Sequence, residues 1–147
     1  MLKNSCIDPK KISKGFIFNE VNCQNNVDTE GCFRITDLFP KVWDAIKNNK
    51  LSPKEKYGKL ERISISSQLT IANSYSRYDN NYEINPKTLK KEKKLLVRNL
   101  KALDEWARSL NLPVYLPIQL RDNRIDNEWD EILDELNDTT QIELISL

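Results

Sequence analysis

The chain has 147 residues, 23 of them Lys or Arg and 22 Asp or Glu, with no histidine and only 3 glycines. That length suits one domain able to bury a real core. The missing histidine excludes a Ser-His-Asp triad, a Cys-His dyad and any histidine metal site, and no run approaches the ~20 apolar residues of a membrane span.

From the N-terminus, residues 1–15 read as an irregular segment that lacks the apolar stretch of a signal peptide. Gly15–Val21 has the aromatic and β-branched content of a short strand. Asn25–Gly31 reads as a polar turn, and Cys32–Ile35 as a second short strand or a lead-in. A first helix is expected over 38–48. Asp37 serves as its cap, Pro40 sits in its first turn, and Phe39, Val42, Trp43 and Ile46 form one apolar stripe. Ser52-Pro53-Lys54-Glu55 is a capping box with proline at the first helical position. The segment it opens is expected to stay helical to about Tyr78, because no turn signal divides it. Against this, Ile63, Ile65, Leu69 and Ile71 alternate with polar residues at a strand period.

A third helix is expected over 86–110. Asn85 caps it, and Ile84 can staple onto Leu89. Leu89, Leu96, Leu100, Leu103, Ala107 and Leu110 share one face, and Lys87, Lys91, Lys94, Arg98 and Lys101 the other. Residues 111–121 read as an extended, proline-punctuated segment. A fourth helix over 127–136, capped by Asp126, carries Trp129, Ile132, Leu133 and Leu136 on one face. Residues 139–147 alternate like a terminal strand that could pair with Phe16–Val21. The expected fold is therefore a single domain over 1–147 that is mainly α: roughly four helices, a helical core over 36–136 and a minor two-stranded or extended element, with α+β as the alternative.

Charge is segregated along the chain. Residues 1–50 carry 8 basic and 6 acidic groups, 51–121 carry 14 and 7, and 122–147 carry 1 and 9. The basic face of the third helix could track phosphates, but no aromatic interleaves it for base stacking. The acidic block fails the calcium-loop template, since starting from Asp122 the third position is Arg124 and the twelfth Leu133. It reads as a solvated face or as a docking surface through Asp130, Glu131, Asp134 and Glu135. Residues 36–66 carry a weak echo of a helix-turn-helix. Trp43, Trp106 and Trp129 fall on or beside apolar stripes and read as core, while Tyr75, Tyr78 and Tyr82 cluster near a loop as candidate interface anchors. Cys6, Cys23 and Cys32 make neither a closed disulfide set nor a zinc site.

With no catalytic constellation, nucleotide fingerprint or cofactor motif, the residues point to a small cytoplasmic binding module. It would act by protein–protein contact, like an inhibitor, immunity or antagonist protein from an AT-rich bacterial or phage genome. Its partner is another protein; no cofactor, metal or membrane is implied, and catalysis is not expected. Two alternatives stay open: a nucleic-acid-binding regulator using helix 86–110 or the 36–66 pair, and an enzyme working without histidine.

Overall fold

In the computed structural model, which describes residues 2–79, 85–124 and 127–147, the centre of the molecule is strand β2 (Gly15–Asn22). All eight of its residues are buried, the mark of a strand covered on both faces. Its first residue must be glycine. Gly15 has φ +108°, and a Cβ there would lie 2.6 Å from the Pro113 carbonyl oxygen.

Six strands form one sheet in the order β1-β6-β5-β2-β4-β3. They are β1 (Lys3–Asn4), β2, β3 (Leu60–Ser64), β4 (Leu69–Arg77), β5 (Val114–Pro117) and β6 (Ile142–Ile145). Every neighbouring pair is parallel except β3 and β4, which form an antiparallel hairpin at one edge. The helices are α1 (Glu30–Leu38), α2 (Pro40–Asn48), α3 (Pro53–Lys56), α4 (Pro86–Leu110) and α5 (Glu128–Glu135).

Alternation along β2 splits the core in two. Phe16 and Phe18 pack with Leu96, Leu100 and Leu103 of α4, Leu116 of β5 and Ile132 of α5. Ile17 and Val21 pack with Ile35 of α1, Val42 and Ile46 of α2, and Tyr75 and Tyr115. The result is a three-layer sandwich, with α1 and α2 on one face of the sheet and α4 and α5 on the other.

This corrects the expectation of a mainly α, four-helix domain. The capping box at Ser52 is real, with both reciprocal hydrogen bonds made, but it opens a helix of only four residues. Gly58, at φ +89°, then turns the chain, and its N–H donates to the Tyr75 carbonyl at 2.7 Å. The stretch expected to remain helical to Tyr78 is the β3–β4 hairpin, in which Ile63 faces Ile71. Its turn needs no Gly, Pro or Asn: the Ser66 hydroxyl accepts from the Gln68 and Leu69 N–H groups at 3.2 and 3.1 Å. Cys32–Ile35, expected as a strand or lead-in, lies inside α1. The terminal strand exists as β6, but it pairs with β5 and β1 rather than β2. The Ile84 staple and the Asp126 cap lie outside the described residues.

Candidate functional site

The connection leaving β2 runs through α1 and α2 on one face, and the connection leaving β5 runs through α5 on the other. Since β2 and β5 are neighbours, their carboxyl ends flank a topological switch point, the place where open α/β sheets hold their ligands. The helices α1, α4 and α5 follow β2, β4 and β5 and begin at this same edge. Their free N–H groups and dipoles favour an anion there.

A buried charged network occupies this edge. Glu20, near the end of β2, accepts from the Ser76 hydroxyl of β4 at 3.0 Å, and Ser76 in turn accepts from Ser74 at 3.2 Å. Asn99 of α4 donates to Ser74 at 2.9 Å. From the β5–α5 loop, the Arg124 Nη2 reaches both Glu20 carboxylate oxygens at 2.6 Å, with the two side chains 4% and 3% exposed. Its Nη1 lies 3.7 Å from Glu128 of α5. Arg77, the last residue of β4, makes a two-pronged pair with Asp28 of the β2–α1 loop at 3.0 and 2.9 Å. Glu92 of α4 is buried and accepts from the Tyr78 N–H at 3.4 Å. Burial, then the charge of Glu20, pushes Glu92 up to about 7. Burial also raises Glu128, although Arg124 opposes the shift.

The β2–α1 loop is held from below. Asn25, in the left-handed region at φ 60°, donates to the Asn49 carbonyl at 2.9 Å. The buried Lys56 ammonium donates to the Cys23 carbonyl at 3.3 Å and to the Asn25 side-chain oxygen. Burial draws Lys56 below its ordinary range. Thr29 caps α1 by accepting from the Cys32 N–H at 3.2 Å. At the other side of the crevice a Cβ on Gly31 would lie 3.4 Å from the Gln119 Cβ, so α1 and the β5–α5 loop approach closely there. Neither residues 23–29 nor residues 118–124 contain a glycine. A ligand at this edge therefore meets side chains and helix ends rather than a bare glycine-rich loop.

The sequence-selected residues lie elsewhere or play other parts. Lys87, Lys91, Lys94, Arg98 and Lys101 are all exposed on α4. Lys91 sits over the Tyr57 ring at 4.9 Å, Arg98 donates to the Gly58 carbonyl, and Lys101 is 3.8 Å from Asp138. Asp130, Glu131, Asp134 and Glu135 are exposed on α5, where Glu131 pairs with Lys93 at 2.9 Å. Tyr75 is buried at 2% exposure and donates to Glu61 at 2.9 Å, so it anchors no interface. Tyr78 is 40% exposed, and Tyr82 lies outside the described residues. Trp43, read as core, is instead 37% exposed and lines a groove of about 520 Å³ with the exposed Phe33. Sequence reasoning missed Glu20, Arg77 and Arg124 as a site. The available signal was Asn19-Glu20 inside an otherwise apolar strand. Among the described residues no group of His, Cys, Asp or Glu is arranged to hold a metal ion, and no helix is long and apolar enough to cross a membrane.

The same architecture recurs in solved structures. The macrodomain of Mycobacterium tuberculosis DarG superposes with a TM-score of 0.61 at 13% identity, over 100% of this chain and 98% of that one. The chain has a macrodomain fold. The macrodomain of Thermus aquaticus DarG gives 0.60 at 12% identity over 99% and 97% of the two chains. A macrodomain protein from Streptomyces coelicolor gives 0.61 at 13% over 92% and 91%. No family model and no curated protein matches the sequence. The macrodomain-like architecture overturns the reading as a helical inhibitor, immunity or antagonist protein, and with it the nucleic-acid alternative. The first rested on the lack of a catalytic constellation, on segregated charge and on the loop tyrosines, and the second on the basic face of helix 86–110 or the 36–66 pair. Within 36–66 the second helix is α3, only four residues long and followed by β3, so the pair offers no recognition helix.

Proposed function

We propose that this protein binds ADP-ribose, free or as an ADP-ribosyl group on a larger molecule, in the crevice at the carboxyl ends of β2, β4 and β5. The observation that carries this reading is the end-to-end likeness to macrodomains, which are ADP-ribose-binding or ADP-ribose-hydrolysing modules, together with a switch-point crevice in this chain. The start of α1, capped by Thr29, offers backbone N–H groups to the diphosphate. Asn26 is half-buried and offers its side-chain amide to a ribose hydroxyl, held by the fully buried Asn22, which donates to its Oδ1 at 2.6 Å. Arg77 and Arg124 supply the positive field at the same edge, each steadied by a carboxylate.

Calorimetric titration of the protein with ADP-ribose tests this, with AMP and ribose 5-phosphate as partial ligands. The expected result is saturable one-to-one binding at a micromolar dissociation constant, about −8 kcal/mol, with both fragments weaker by tenfold or more. Absence of saturable heat up to ~1 mM ADP-ribose, where binding would be worth about −4 kcal/mol, contradicts the reading.

A further inference from the structure

A groove of about 520 Å³ opens on the outer side of α1 and α2, a volume within the range of ligand sites. Phe33 of α1 and Trp43 of α2 line it while remaining 61% and 37% exposed. Among the described residues, neither ring takes part in an aromatic pair; those pairs join Phe16 to Trp106 and Tyr57 to Tyr78. Large apolar side chains gathered in one exposed hollow mark an interaction site.

The charge of the groove has one sign. Asp37 is the charged side chain of its lining, and no lysine or arginine lines it. Asp37 is exposed and makes no ion pair or side-chain hydrogen bond among the described residues. Arg34 is spent on Glu30 at 2.8 Å and on the Leu147 carbonyl. Lys47 is held by Asp44 at 3.3 Å, and its ammonium is 6.0 Å from the Trp43 ring centre, the outer limit of a cation–π contact. Aromatic rings beside a lone carboxylate match an arginine side chain. Its guanidinium plane stacks on an aromatic face, and its N–H fork meets a carboxylate. An aliphatic occupant would cover the carboxylate without giving it a donor.

The groove also adjoins the crevice. Asn26, which offers its amide to a ribose hydroxyl, lines the groove together with Val27. A polypeptide bonded to that ribose therefore leaves the crevice at the mouth of the groove.

We propose that the groove seats an arginine of the polypeptide that carries the ADP-ribosyl group, its guanidinium stacked on the aromatic lining and hydrogen-bonded to Asp37. This rests on the crevice binding ADP-ribose, and it adds the class of carrier: a protein segment with an arginine within a few residues of the modified side chain.

Calorimetric titration of the whole chain compares free ADP-ribose with short peptides that carry ADP-ribose on a cysteine through a hydrolysis-resistant thioglycoside. One set places an arginine one to four residues from the cysteine, on either side. Matching sets replace that arginine with glutamine or leucine. At least one arginine spacing should bind about fivefold tighter than both counterparts. Trp43→Ala and Asp37→Asn should each abolish that advantage and leave the affinity for free ADP-ribose unchanged. Neither residue belongs to the packed core, so the fold is kept in both variants. Equal affinity of the arginine and glutamine peptides at every spacing overturns the proposal while ADP-ribose binding stands. A leucine peptide as tight as the arginine peptide overturns it too, by making the groove a plain apolar cleft. So does a dimer, seen by sedimentation, that Trp43→Ala dissolves, because the occupant is then a second copy of this chain. If free ADP-ribose gives no saturable binding, the crevice reading falls and the arginine seat falls with it.

Discussion

Replacing Arg124 with Met probes the charged centre of the crevice. The Glu20 and Arg124 side chains are 3% and 4% exposed, and one guanidinium nitrogen is 2.6 Å from both carboxylate oxygens. Removing the cation strands a buried carboxylate whose remaining donor is the Ser76 hydroxyl. Breaking a buried pair from one side costs about 3–5 kcal/mol. For a chain of 147 residues that corresponds to a fall in Tm of roughly 6–20 °C, at about 2–4 °C per kcal/mol. Removing both charges is different: Glu20→Leu with Arg124→Met should recover most of the loss, because an apolar pair of similar volume avoids the desolvation of two ions. Urea denaturation of wild type, both single variants and the double variant closes the cycle. A loss below about 1 kcal/mol in Arg124→Met, or a double variant no better than the worse single, would show that the pair is not the buried, mutually compensating unit described above.

Leu100→Ala should cost about 2–5 kcal/mol in the same assay, since Leu100 is fully buried between α4 and the sheet. A loss under about 1 kcal/mol would place the wrong face of α4 inward. Glu92 makes stability fall with rising pH. Its folded value of about 7 lies above the ordinary 4.5 of a glutamate, so between those limits the folded state holds the extra proton and stability declines as that proton is lost. Unfolding midpoints measured from pH 4.5 to pH 8 should therefore decline more steeply in wild type than in Glu92→Gln, and parallel curves would contradict the burial of that carboxyl.

Much of the chain's local order was legible from its residues. Asn85 and Pro86 located α4 at Pro86–Leu110, and the Trp129 stripe located α5; Pro40 located α2 at Pro40–Asn48, but Asp37, read as its cap, lies inside α1, and Phe39 takes the cap position without a side-chain hydrogen bond. The aromatic and β-branched run from Gly15 marked β2. What stayed hidden was β4, between β2 and the edge strand β3. Asn73, Ser74 and Ser76 look like a small-residue helix surface, yet all three are buried, because each finds a side-chain partner in Asn19, Asn99 or Glu20. Periodicity reports which residues are apolar, and it cannot show that a polar residue is buried with a partner 25 to 56 positions away. The crevice was hidden for the same reason. Glu20, Arg77, Asp28 and Arg124 come from four separate stretches, and only the parallel pairing of β2 with both β4 and β5 brings them to one edge.

Backbone-amide shift mapping during an ADP-ribose titration addresses the crevice assignment most directly. The expected perturbations fall on residues 22–29, 77–79 and 118–124, the three segments that meet at the carboxyl ends of β2, β4 and β5. Perturbations confined to the exposed lysines of α4, Lys87, Lys94 and Lys101, would instead show nonspecific attraction of an anion and contradict the assignment.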